Sequence, residues 1–164
     1  MTARIRAGIL TISDRVSRGA AEDRSGPALR DGLPSDAYDV VAARVVPDEI
    51  REIVAALRAL CAECDLVLTT GGTGLSPSDV TPEATLQVVE RLVPGIPEAL
   101  RADGYAHIPT AILSRGVAGT VGRALIVNLP GSPGAVREAL GVLRPILPHA
   151  IETLRGEGAH GGRR

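Results

Sequence analysis

The chain has 164 residues, which suits one compact domain and leaves little room for a second. Hydrophobic residues make up 45%, yet Phe and Trp are absent and Tyr occurs twice, so the expected core is aliphatic. The formal net charge of −1 argues against a nucleic-acid surface. All 18 basic residues are arginine, which excludes a lysine-dependent phosphate loop and a lysine Schiff base.

In chain order, "RIRAGILTIS" reads as a first strand ending at the polar Ser13, Asp14 and Arg15. "SGPALRDGL" reads as a short helix capped by Ser25. "YDVVAARVV" is the second strand, closed by Pro47, and a helix is predicted over 48–63. Along that helix Ile50, Ile53, Val54, Leu57 and Leu60 recur on one face. Cys61 and Cys64 form a C-x-x-C at its carboxyl end, where the helix dipole opposes a reactive thiolate. A zinc site would need two further ligands, and His107, His149 and His160 lack ligand spacing, so the cysteines are expected to be inert.

"DLVLTT" is a near-continuously apolar third strand, as expected of one buried on both faces. After a polar loop, Thr81 as N-cap and Pro82 at the first helical position start a helix carrying Leu86, Val89 and Val93. A further helix is expected around 97–106, after the "VPGIP" break. "TAILSRG" and "RALIVNLP" read as two more strands linked by a glycine-rich "VAGTVG". A long helix follows from Pro133 to about Leu154, and "RGEGAHGGRR" reads as a tail frayed after about residue 155. With no secretory signal and no run long enough to span a bilayer, a cytoplasmic protein with no membrane partner is expected. The whole, 1–164, is expected to be a single-domain α/β three-layer sandwich, a mainly parallel sheet with helices on both faces.

Ligands of such sheets sit beyond the carboxyl ends of the strands. Those ends gather Ser13, Asp14 and Arg15 after strand one, and Asp48 after strand two. Gly71, Gly72, Thr73, Gly74, Ser76 and Asp79 follow strand three. Ser114, Arg115, Asn128, Pro130, Gly131 and Ser132 follow the later strands. Singly, each has a structural explanation: a turn glycine, a helix cap, an acid near a helix dipole. Together they describe the wall of a polar, phosphate-binding pocket.

Acids such as Asp48 and Asp79 repel phosphate, so they suit it only with a divalent cation such as Mg2+ between. Backbone N–H groups of "GGTG" can hold phosphate oxygens where no lysine is available. The spacing fits neither G-x-x-x-x-G-K-[ST] nor G-x-G-x-x-G. From the residues alone, a metal-assisted phosphate-group enzyme and a nucleotide-binding domain both stand.

"TTGGTGLSPSDVTPEAT" closely resembles the signature of the molybdenum-cofactor biosynthesis family of MogA and MoaB type. The likeness extends through "ISDRVSRGAAEDRSGPAL", "VVPDE", "LSRGVAG" and "IVNLPGSPGAV", from about residue 5 to residue 154. The front segment and "LSR" resemble the MogA-type molybdopterin adenylyltransferases most. The resemblance implies transfer of AMP from Mg-ATP to the terminal phosphate of molybdopterin, releasing pyrophosphate. It places the family's two functional acids, catalytic and Mg2+-holding, on Asp48 and Asp79, and its pocket serine on Ser114. Arg15 and Arg115 become candidate charge neutralisers. It further implies a homotrimer, with hand-over of product to a molybdate-insertion enzyme. A MoaB-like protein that binds pterin without turnover is the alternative.

Overall fold

The computed structural model describes residues 3–157; most of the tail expected to fray, including His160, lies outside them. The elements in order are β1 (Ile5–Ile12), α1 (Asp14–Ser17), α2 (Ser25–Gly32), β2 (Tyr38–Val46), α3 (Ile50–Glu63) and β3 (Leu66–Thr70). Then follow α4 (Thr81–Leu86), β4 (Arg91–Leu92), α5 (Gly95–His107), a 3-10 helix (Pro109–Leu113), β5 (Ala118–Val121), β6 (Ala124–Leu129), α6 (Pro133–Leu143) and α7 (Leu147–Arg155).

The strands form one six-stranded sheet in the order β2-β1-β3-β6-β5-β4. β1, β2, β3 and β6 run parallel, and β5 is antiparallel to both neighbours. Alternation along each strand divides the core in two. Ile5, Ala7 and Ile9 of β1 face a layer made with α2, α6 and α7, whereas Leu10 and Ile12 face α3 and α4. The expected three-layer α/β sandwich is therefore observed. In α3, Ile53, Leu57 and Leu60 are wholly buried, each contributing about 1.5–3 kcal/mol by leaving water.

Four expectations are corrected. The segment 110–116 is not a strand: Pro109 opens a 3-10 helix whose Ile112 and Leu113 lie exposed, so its apolar run was no sign of burial. The strand lies instead in the expected linker, where β5 pairs with β6 across a turn at Gly122 (φ +55°). The final helix is two, broken at Arg144–Ile146, where Pro145 removes an N–H from the helical ladder. α4 ends at Leu86, and Thr81 does not cap it: its hydroxyl donates to the Gly71 carbonyl (2.9 Å).

Cys61 and Cys64 are free thiols on α3 and its edge. Burial, helped by the neighbouring Cys64, pushes the Cys61 thiol up to about 12, which keeps it protonated. No helix among the described residues is long and apolar enough to cross a membrane.

Candidate functional site

The rim at the carboxyl ends of the parallel strands is built by β1–α1, β2–α3, β3–α4 and β6–α6 connections. Because β5 runs backwards, the segment leading into it, Ser114–Val117, reaches the same edge. Ser114 and Arg115 therefore join the rim by preceding a strand rather than following one.

The glycine-rich turn leaves β3 in a conformation open to glycine. Gly71 and Gly72 have φ of +95° and +67°, and a side chain on either would strike the Ile12 carbonyl or the Thr81 hydroxyl. Beyond them, the backbone N–H groups of Gly72, Thr73 and Gly74 have no protein acceptor among the described residues. Unpaired N–H donors in succession form a concavity suited to an anion.

Two carboxylates close over this turn. Asp48 Oδ1 lies 3.1 Å from where a Cβ on Gly72 would stand, and Asp79 Oδ2 lies 2.8 Å from the same point on Gly74. Asp48 does not cap α3, whose N-cap is Glu49 without a side-chain hydrogen bond. Instead Asp14 N–H donates to Asp48 Oδ2 (2.8 Å) and Asp48 N–H donates to Asp14 Oδ1 (3.0 Å), tying two rim loops together. Burial raises the Asp48 pKa above its ordinary 3.8, and the charges of Asp14 and Asp79 push the same way against the Asp14 N–H bond. Asp79 is no helix cap either; its carboxylate accepts the Ser76 N–H (3.1 Å) and turns its own loop.

The other expected residues divide by what they touch. Arg15 is exposed on α1, without an ionic partner among the described residues. Ser13 caps α1 by accepting from Val16 N–H (3.2 Å), and Ser132 caps α6 by accepting from Ala135 N–H (3.2 Å). Ser76 and Ser78 pair their hydroxyls at 3.0 Å on an exposed loop tip. The Pro130 carbonyl accepts from the Thr70 hydroxyl (2.7 Å), and Gly131 lies against Gly71, so both belong to the backbone frame. Asn128 is buried with its amide donating to Thr69 and Thr85 hydroxyls (3.0 Å each), which makes it a clip between β6, β3 and α4. Arg115 does not face open space: it donates to Gly74 and Asp79 carbonyls and pairs with Glu83.

A mostly apolar cavity of about 300 Å3 opens beside the turn, sharing Thr73, Gly74 and Ser114 with it and extending between α5, the 3-10 helix and α6. Sequence reasoning missed this cavity, since Pro97, Leu100 and Ala139 carry no chemical signature. It also missed Arg101, which braces the rim through Ser114 and Gly116 carbonyls (3.3 and 3.1 Å), and Glu83, which pairs with Arg115. Among the described residues no group of three His, Cys, Asp or Glu is placed to hold a metal on its own. Two carboxylates beside an anion-suited turn have the donor chemistry for Mg2+, which takes one or two protein carboxylates and completes its shell with other oxygen ligands and water.

The family model described as "Probable molybdopterin binding domain" matches residues 8–149. A molybdopterin adenylyltransferase of Helicobacter pylori is 41% identical over 156 residues, covering 93% of this chain and 89% of its own length. That of Escherichia coli is 45% identical over 140 residues, covering 83% of this chain and 72% of that protein. Among solved structures, the molybdopterin biosynthesis enzyme MoaB of Thermus thermophilus superposes with a TM-score of 0.87 at 47% identity, covering 93% of this chain and 97% of that one. A MogA structure superposes with a TM-score of 0.86 at 43% identity, covering 91% and 99%. With its glycine turn, paired rim acids and aliphatic three-layer fold, this chain belongs to the molybdopterin-binding domain family of molybdenum-cofactor biosynthesis.

Proposed function

We propose that the protein is a molybdopterin adenylyltransferase that transfers AMP from Mg-ATP to the terminal phosphate of molybdopterin in the cytoplasm. The observation that carries this reading is the meeting of Asp48 and Asp79 over the unpaired N–H groups of Gly72–Gly74. Relatives above 40% identity bearing that name support it.

In the reaction an oxygen of the pterin phosphate attacks the α-phosphorus of ATP, and the bond from that phosphorus to the pyrophosphate oxygen breaks. No covalent enzyme intermediate is needed, so the protein's work is positioning and charge stabilisation. The Gly72–Gly74 N–H groups bind phosphate oxygens, and the Ser114 hydroxyl orients the attacking phosphate. Arg15, free at the mouth, offsets charge on the leaving pyrophosphate. The apolar cavity beside Thr73 and Ser114 is the natural receptacle for a flat ring. Asp48 and Asp79 would hold Mg2+, which when bound neutralises charge on the triphosphate. The Asp48 pKa is raised first by burial and then by the charges of Asp14 and Asp79, and a bound cation would offset both.

The test is pyrophosphate release from protein, Mg-ATP and molybdopterin. Release that requires the pterin supports transfer. Pterin binding with no release supports the second reading, a MoaB-like protein that binds pterin without turnover. The adenylyltransferase reading includes a homotrimer that passes adenylylated product to a molybdate-insertion enzyme. Sedimentation at micromolar concentration should give three times the chain mass, and a monomer would remove that claim.

A further inference from the structure

The loop between Thr73 and Asp79 contains no regular structure, and its tip from Leu75 to Ser78 is exposed. What holds it is Arg115, which lies on a different rim segment. The Arg115 backbone N–H donates to the Thr73 carbonyl (2.8 Å). Its Nε donates to the Gly74 carbonyl (2.8 Å) and one Nη to the Asp79 carbonyl (2.7 Å), while the other pairs with the Glu83 carboxylate. One planar guanidinium thus grips both ends of the loop, and Glu83, fixed in the first turn of α4, sets the plane of the fork. Inside the grip, Asp79 accepts Ser76 N–H, Asp79 N–H donates to the Ser76 carbonyl (2.9 Å), and the carboxylate folds over Gly74.

We infer that Arg115, with Glu83, is a positioning residue that fixes the 73–79 loop and thereby aims the Asp79 carboxylate at the nucleotide half of the site. This rests on the adenylyltransferase reading. The pair is a poor candidate for a stability device: the side chains are 34% and 46% exposed, and ion pairs so open to water contribute little to folding. Its geometry matters because a small misplacement of a charge-bearing group costs rate far more than it costs stability.

Arg115→Lys keeps the charge and loses the fork. Glu83→Gln keeps an acceptor of the same shape and loses the charge that orients it. Each variant should lower kcat for pyrophosphate release, Arg115→Lys by about tenfold to a hundredfold and Glu83→Gln by less, with the KM for molybdopterin nearly unchanged. Independently of activity, amide exchange at Ser76 and Asp79 should quicken in both variants without ligand, while the unfolding midpoint barely moves. Should Arg115→Lys not fold, Glu83→Gln decides alone. Wild-type kcat in the folded variants overturns the inference, as does a lost kcat with exchange unchanged, which would make Arg115 a direct substrate contact. A wild-type protein that releases no pyrophosphate overturns the adenylyltransferase reading instead, and the exchange rates then judge the clamp by themselves.

Discussion

Asp65 and Asp48 stand at opposite ends of the same sheet, and their surroundings have opposite sign. At the amino edge, Asp65 accepts from Arg155 Nη2 (2.7 Å) and from Arg6 N–H (2.9 Å). Burial pushes its carboxyl up, but the bonds from Arg155 and Arg6 and their charges outweigh that and hold it below 3.8. Arg155 goes on to the Ala3 and Arg4 carbonyls (3.2 Å each), stitching the end of α7 to the start of β1. At the carboxyl edge, Asp48 is held above its ordinary value by burial first, with the charges of its neighbours Asp14 and Asp79 adding to it. One carboxylate contributes to folding; the other sits where folding alone would not keep a charge. Such a cost is characteristic of a place prepared for a ligand.

The largest expected effect of breaking this contrast is on rate. Asp79→Asn keeps size and most hydrogen bonds and removes the charge. It should lower pyrophosphate release about a hundredfold or more, as loss of several kcal/mol of charge stabilisation requires. Pterin binding should persist, and near-normal turnover would remove the acid from the mechanism. At the other end, Asp65→Asn should cost about 2–4 kcal/mol in urea unfolding, since it takes the charged partner from a largely buried Arg155. Activity per folded molecule should survive.

The signs of the pH effects follow. Asp65, with a depressed pKa, stabilises the fold above its ordinary 3.8 and loses that contribution as pH falls through its folded value. Asp48, with a raised pKa, costs stability when ionised, and that cost lifts as pH falls through its folded value towards 3.8. Acid unfolding curves should therefore lose part of their low-pH limb in Asp65→Asn. The smallest effect belongs to Ser114→Ala, where one neutral hydrogen bond of about 0.5–1.5 kcal/mol predicts a loss of about tenfold or less in turnover. A steep fall in melting temperature with activity intact would make Ser114 structural.

Much of this contrast was legible in the sequence on one side only. β1, β2, β3, β6 and α3 announce themselves by period and punctuation, and the glycine turn with Asp48 and Asp79 by chemical type. β5 was hidden because its Gly119, read as a loop signal, admits the Arg91 carbonyl within 2.8 Å of where a Cβ would stand. β4, two residues long, leaves no periodic trace. The division of Arg115 and Asn128 into frame and Arg15 into free cation depends on partners far along the chain, such as Glu83, Thr69 and Thr85. Nor could spacing reveal Arg155 as the partner of Asp65.

The most direct measurement is the unfolding midpoint of Asp48→Asn at neutral pH without ligand. Asn removes the charge that burial and the neighbouring acids work against, and it can still accept from Asp14 N–H. The midpoint should equal or exceed that of the wild type. A fall comparable to that of Asp65→Asn would contradict it, making Asp48 another fold-supporting carboxylate and leaving the rim without a charge held for a ligand.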